Sequence, residues 1–147
     1  MADADPLVKE IWIDATPDVV FAYFTDPARF ARWMGAPLRL DARPGGDFHV
    51  DANAEHRIRG RFLEVVPHSR IVFSWGYEQP GPPVLPGASV VEVTFTPRDG
   101  GTLLRLVHRE LPPAERDGHS RGWDYHLERL RSDAVGLPPG AENCPSS

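Results

Sequence analysis

The stretch that decides the fold is GHSRGWDYHLERLRSDAVG, running from Gly118 to Gly136 near the end of the chain. Its apolar and aromatic residues recur at spacings of three and four, which places them on one stripe of a helix. Charged residues occupy the remaining helix surface. The stripe consists of His119, Gly122, Trp123, His126, Leu127, Leu130 and Ala134. A stripe that mixes Trp and two His with aliphatic residues predicts either packed core or the wall of a cavity.

The residues before this helix alternate between apolar and polar in short runs bounded by turn residues, which is typical of strands. Pro17 and Pro27 each follow a capping residue and start two short helices after the first strand. Gly60 is expected to mark a bulge or the close approach of another backbone. The predicted strands are Leu7 to Asp14, Leu38 to Asp41, Asp47 to Asp51, His56 to Val66, Ile71 to Trp75, Ser89 to Thr96 and Thr102 to Glu110.

Tight turns between consecutive strands, such as Asp99-Gly100-Gly101, indicate antiparallel pairing. One face of that sheet must be covered, and the last helix is the element long enough to cover it. The sequence therefore predicts an α+β fold in which a curved antiparallel sheet wraps around a long C-terminal helix. Residues 1–137 are expected to form a single domain, and residues 138–147 a disordered tail.

Composition restricts the function classes. The chain has 147 residues, of which 41% are hydrophobic, enough for one domain with a real core. Its net charge of -5 is spread along the chain, which argues against a nucleic-acid surface. No apolar run approaches the roughly 20 residues that span a bilayer. Cys144 is the single cysteine, so no disulfide is expected and a reducing cytoplasm fits best.

Five pieces in this order resemble the START-like (SRPBCC) superfamily, which has the helix-grip fold. The resemblance is closest to the branch named for the activator of the heat-shock-protein-90 ATPase. The pieces are ATPDVVFAYFTDPARFARWMG, RPGGDF, GRFLEVVPHSRIVFSW, GTLLRLVHREL and GHSRGWDYHLERL. The resemblance implies a cavity between sheet and long helix, often for an apolar small molecule. Family members range from lipid carriers to polyketide cyclases and chaperone regulators, so the fold leaves the function open.

An apolar pocket with a few polar groups is what a small-molecule site looks like. If the helix grips such a pocket, aromatic and aliphatic residues from the helices and the inner sheet face form its walls. The alternative is that the same side chains simply fill the core. The predicted ligand-binding residues are Phe24, Phe30, Trp33, Phe73, Trp75, Tyr77, Val93, Phe95, Leu106, His108, His119, Trp123, His126, Leu127 and Leu130.

Three histidines are the chemically interesting members of that set. A buried imidazole can act as acid, base or ligand near neutral pH, although a His hydrogen-bonded within the core or exposed at the rim is the plainer interpretation. His119 and His126 lie about 10 Å apart along the helix, so they cannot share a metal without a third element. No metal and no cofactor is expected. A cyclase-like activity would draw on Tyr77, Glu78, His108 and Tyr125.

The predicted function is a cytoplasmic protein that binds an apolar or aromatic small molecule without catalysis. A polyketide-cyclase-like enzyme using the same pocket is one alternative, and a chaperone-linked interaction module is another. The Pro-rich loop from Gln79 to Gly87 is interpreted as either a lid or a plain connection. Trp12 and Tyr125 are candidate exposed aromatics for a dimer or a protein partner. The chain is expected to be a monomer or a homodimer.

Overall fold

The computed structural model describes residues 6–34, 38–53, 56–76, 89–111 and 113–135. Within these ranges the chain forms seven strands and three helices, with two short helices after the first strand and a long one at the end. In chain order the elements are β1 (Leu7–Ile13), α1 (Pro17–Thr25), α2 (Pro27–Met34), β2 (Leu38–Leu40), β3 (Asp47–Asn53), β4 (His56–Val66), β5 (Arg70–Trp75), β6 (Ser89–Arg98), β7 (Gly101–Arg109) and α3 (Pro113–Ala134).

The strands form one antiparallel sheet in the order β1-β7-β6-β5-β4-β3-β2. The first strand therefore pairs with the last, and the remaining strands follow one another as a meander. Asp99 and Gly100 both have positive φ in the turn from β6 to β7, as a two-residue hairpin requires. The predicted α+β, helix-grip architecture is confirmed.

Gly60 lies where the long strand β4 changes partners. The first half of β4 pairs with β3, and the second half pairs with β5. A Cβ on Gly60 would lie 1.9 Å from the carbonyl oxygen of Ser74. The predicted close approach of another backbone is therefore confirmed, and a register shift follows between Phe62 and Glu64.

Alternation along the strands separates the two faces of the sheet. On β6 the side chains of Ser89, Val91, Val93 and Phe95 are buried on the inner face of the sheet, whereas the residues between them are partly exposed. Glu92 lies on the outer face, where its carboxylate forms ion pairs with Arg70 and Arg109. The core thus occupies the space between the inner sheet face and the three helices. Within the described ranges, no helix combines the length and apolar character needed to cross a bilayer.

The long helix differs from the prediction at its start. It begins at Pro113, five residues before Gly118, and ends at Ala134. Proline is tolerated in the first helical turn, where its missing N–H has no intrahelical partner to bond. The predicted start of this helix at Gly118 was therefore wrong. Tyr77, Glu78, the Gln79 to Gly87 loop and the predicted tail at 138–147 lie outside the described residues.

Candidate functional site

Aromatic rings from the sheet form a layer beneath α3. Phe48 of β3 stacks on Phe73 of β5 with ring centroids 4.1 Å apart. The ring centroid of Trp75, at the end of β5, lies 5.2 Å from that of Trp123 in α3. All four side chains are buried. The structure thus brings the predicted residues Phe73, Trp75 and Trp123 together, and adds Phe48, whose alternation with Val50 was the available signal in the sequence.

The two short helices close one end of this interior. Phe24 and Trp33 pack edge to face at 5.0 Å, and Phe30 lies 5.2 Å from Trp33. The indole N–H of Trp33 donates to the carbonyl oxygen of Tyr23 at 2.8 Å. These three side chains are buried, and the one polar group among them, the Trp33 indole N–H, already bonds to the protein. They provide apolar wall at this end.

His108 lies in a chain of hydrogen bonds that joins α3 to three strands. The indole N–H of Trp123 donates to His108 Nδ1 at 3.1 Å. His108 Nε2 lies 2.9 Å from Ser89 Oγ, and the Ser89 hydroxyl donates to the carbonyl oxygen of Trp75 at 2.9 Å. Because that hydroxyl has a single hydrogen, His108 Nε2 must carry the hydrogen that it shares with Ser89. Both ring nitrogens are therefore engaged, in a fixed neutral tautomer.

The electrostatics of His108 agree with this geometry. The side chain is 1% exposed. Burial, together with the nearby His119, lowers the pKa of His108 to about 3. The imidazole is consequently neutral at physiological pH, and a ligand finds no unused hydrogen-bonding atom on it. His108 contributes shape and apolar surface to the interior.

His119 and His126 lie two turns apart on α3, and both are half-buried. His119 Nδ1 lies 2.8 Å from the carbonyl oxygen of Glu115, one turn earlier, and its ring meets His108 edge-on at 5.5 Å. His126 Nδ1 lies 3.0 Å from the carbonyl oxygen of Trp33, in the last turn of α2. A carbonyl only accepts, so Nδ1 carries the hydrogen in both rings. His119 thus bonds within α3, and His126 ties α3 to α2.

The flank of α3 that carries these histidines is open where no α2 residue covers it. Apart from its chain neighbours and the backbone of α3 itself, a Cβ built on Gly122 would have no atom within 4 Å, and the same holds for Gly118. Gly122 is nevertheless half-buried, one turn before His126. We call the α3 surface at Gly118 and Gly122, bordered by His119 and His126, the open flank. It lies beside the aromatic layer that Trp123 completes.

The remaining predicted ligand residues are core. Val93, Phe95, Leu106, Leu127 and Leu130 are each at most 3% exposed. They pack in the same apolar cluster as the aromatic layer. Tyr77 lies outside the described residues, so its place in the site stays a prediction. In the part of the chain that the structure describes, no three His, Cys, Asp or Glu side chains come together as a metal site.

A polar cluster that the sequence did not reveal joins α3 to the short helices. Tyr23 donates its hydroxyl to Asp133 at 2.6 Å, and Arg32 binds both oxygens of the same carboxylate at 2.7 and 2.9 Å. Burial and the bond to Asp133 raise the pKa of Tyr23 to about 12. Tyr23 and Asp133 are 110 residues apart, so no local pattern could have paired them. The cluster fastens the C-terminal half of α3.

Comparison with known proteins places this geometry in a family. The family model described as activator of Hsp90 ATPase homolog 1-like protein matches residues 14–133. The human activator of 90 kDa heat shock protein ATPase homolog 1 is 28% identical over 128 residues, which are 84% of this chain and 35% of the human protein. The chain spans about a third of the length of the curated relatives it matches.

Solved structures show the same similarity. The solution structure of an AHSA1-like protein from Rhizobium etli is 39% identical, with a TM-score of 0.73, and the match covers 100% of this chain and 92% of that one. The crystal structure of CalU16 from Micromonospora echinospora is 29% identical, with a TM-score of 0.71, and the match covers 88% and 74% of the two chains. The chain belongs to the family of activator of Hsp90 ATPase homolog 1-like proteins.

Proposed function

We propose that this chain is a non-catalytic cytoplasmic module that binds an apolar or aromatic small molecule between the sheet and α3. The observation that carries the proposal is the open flank beside the aromatic layer. There, the half-buried Gly122 has room around it, next to the buried ring of Trp123. Apolar surface with a few polar groups at its edge is the usual composition of a small-molecule site.

The absence of catalysis in this proposal rests on the direction of the bonds at His108. Ser89 and His108 stand 2.9 Å apart, the distance expected of a nucleophile and its base. A base must accept the hydroxyl proton, but here the imidazole donates to Ser89 Oγ. The other nitrogen accepts from the Trp123 indole, whereas a catalytic His donates there to an orienting group. The Ser89–His108 pair therefore has a structural role in this proposal and does not act as nucleophile and base.

Native mass spectrometry of the protein purified from its own host tests the binding proposal. We expect a fraction of the wild-type protein to carry an additional small mass that is released on denaturation. The matched variant is Gly122→Leu, which fills the open flank and improves helix propensity. That variant should fold and lose the additional mass. Wild-type protein that is empty, or a variant that retains the ligand equally well, contradicts the proposal.

A second candidate function is contact with an Hsp90-type chaperone. It is favoured by the family match over residues 14–133 and by the name of the human relative. Trp12 on the outer sheet face and Tyr125 on α3 are 40% and 59% exposed, as predicted from the sequence, and offer aromatic contact surface. The test is the ATPase rate of the host's own Hsp90 with and without this protein. A rate that does not change, and is equally unaffected by the variants Trp12→Ser and Tyr125→Ser, counts against chaperone contact.

The cyclase-like alternative has a test of its own. It needs an acid or base in the interior, and among the described residues none bonds to Nε2 of the half-buried His126. Replacing His108 and His126 by Gln without changing the turnover of a polyketide substrate eliminates both side chains as the catalytic groups. Loss of turnover in the His126 variant alone would favour the enzyme over the binding module.

A further inference from the structure

Two arginines and a histidine form a row across β2, β3 and β4. In the register of these strands, Arg39 lies opposite His49, and His49 lies opposite Arg59. Phe48 and Val50, on either side of His49 in the chain, are buried, so the row lies on the outer face of the sheet. Placing cationic side chains next to one another on adjacent strands costs stability, so the needs of the fold do not explain this row.

Two further arginines of β4 extend the row along the strand. Arg57 and Arg61 are both exposed, and they lie opposite Asp51 and Asp47 of β3. Four arginines thus meet two carboxylates, which gives this surface a net charge of +2 with His49 neutral, in a chain whose net charge is -5. We call it the basic face, and its members are Arg39, Asp47, His49, Asp51, Arg57, Arg59 and Arg61.

The two aspartates show how the basic face binds carboxylates. Asp47 lies with Oδ2 3.3 Å from Nη1 of Arg39 and with Oδ1 3.9 Å from Nε2 of His49. Asp51 Oδ1 lies 2.8 Å from Nη1 of Arg59. A guanidinium has five N–H donors and can bind a carboxylate through two of them. The side chain of Arg39 is 72% exposed and contacts Asp47 through one nitrogen, so it can bind a second carboxylate.

The arginines of β5 and β7, on the same outer face of the sheet, differ in their charge balance. Each of them has a carboxylate close by. The pairs are Arg70 with Glu64 and Glu92, Arg109 with Glu92, and Arg105 with Glu10. Charge balances within these pairs, whereas the β2–β4 end of the sheet keeps an excess of positive charge.

We propose that the basic face binds an acidic segment of a partner protein, whose Asp and Glu side chains pair with its arginines. Arginine suits such contacts because its planar guanidinium matches a carboxylate. Single-stranded nucleic acid fits less well, since the described outward-facing residues of β2 to β4 include no Phe, Tyr or Trp on which a base could stack. The proposal is independent of the small-molecule function, because the basic face lies on the opposite side of the sheet from the core.

The test is fluorescence anisotropy with a fluorescein-labelled octaglutamate peptide. Wild-type protein should bind it, and raising NaCl from about 20 to about 200 mM should weaken the binding about tenfold. The double variant Arg39→Gln/Arg61→Gln should also bind about tenfold more weakly, the effect of two exposed ion pairs. The control Arg98→Gln/Arg105→Gln changes the net charge equally at exposed positions of β6 and β7, and it should bind as wild type does.

A gain of affinity separates this proposal from damage to the fold. Asp47→Asn removes a carboxylate that competes for Arg39, so it should tighten binding about threefold. Glu10→Gln, which frees Arg105 in the same way, is the control and should leave the affinity unchanged.

Amide NMR shifts of unmutated protein locate the peptide, and the shifts that move should be those of β2, β3 and β4. The proposal is overturned if octaglutamate does not bind, if the Arg98→Gln/Arg105→Gln control loses as much affinity, or if the shifts move elsewhere. Equally tight binding of an oligodeoxythymidylate of the same length overturns the choice of an acidic protein segment. None of these outcomes affects the small-molecule function, which the retained ligand tests separately.

Discussion

Protonation of the buried His108 should be one contribution to the destabilisation of this protein by acid. Its ring is 1% exposed, accepts a hydrogen bond at Nδ1 and donates one at Nε2. A protonated ring would carry hydrogen on both nitrogens, face the Trp123 N–H with a second donor, and place a charge in an apolar core. The folded state therefore resists protonation, and the pKa of His108 falls from 6.5 to about 3.

The magnitude follows from proton linkage. Because the folded pKa lies below the unfolded one, the unfolded chain binds the proton first, and stability is complete only above pH 6.5. Each pH unit between 6.5 and 3 costs about 1.4 kcal/mol. Lowering the pH from 7.5 to 5 should thus remove about 2 kcal/mol of unfolding free energy through His108 alone, and below pH 3 the loss should level off at about 5 kcal/mol.

The variant His108→Gln isolates this effect. A Gln amide can accept from the Trp123 indole and donate to Ser89, but it does not titrate. Urea unfolding followed by Trp fluorescence gives the free energy of unfolding of both proteins at pH 7.5, 6.5 and 5. The advantage of wild type over the variant should shrink by about 2 kcal/mol between pH 7.5 and 5. His49→Gln, on the outer sheet face, is the control and should follow wild type.

One result would refute the reasoning. If the difference in unfolding free energy between wild type and His108→Gln is the same at pH 7.5 and pH 5, His108 does not titrate differently in the two states. Its imidazole would then be accessible to protons in the folded protein. In that case the assigned tautomer and the structural role of the Ser89–His108 pair would both be wrong.

Three further outcomes are expected. Gly60→Ala should cost about 3 kcal/mol or prevent folding, since its Cβ would lie 1.9 Å from the Ser74 carbonyl oxygen. Gly122→Ala, with open space around it, should instead stabilise α3 by about 1 kcal/mol, and chemical denaturation of the two variants measures the contrast. Tyr23→Phe should lose about 2 kcal/mol with the bond to Asp133. Because the pKa of Tyr23 is raised to about 12, its contribution is complete below pH 10 and lost as the pH rises toward 12, which ultraviolet titration of the phenol detects.

Much of the fold was predictable because its signals are local. Alternation along β6, the Asp99-Gly100 turn and the Pro17 helix start each depend on residues a few positions apart. The start of α3 was misplaced because Pro113 signals both a loop and a first helical turn, and the stripe pattern is weak before Gly118. The close approach of another backbone at Gly60 was predicted correctly, although only the structure shows that this backbone is that of Ser74.

By itself the sequence determined the order of the elements and which side chains of the strands and of α3 face inward. Periodicity and turn-forming residues depend on neighbours in the chain, so they can be recognised without a structure. Only the tertiary structure decided what each histidine can do. The partners that fix the His108 tautomer are 15 and 19 residues away, and the carbonyl that leaves His126 Nε2 as an acceptor is 93 residues away. Hydrogen-bond direction depends on such distant partners, and it distinguishes the imidazole of His108, with both nitrogens bonded, from that of His126, where Nδ1 is bonded and Nε2 is left as an acceptor.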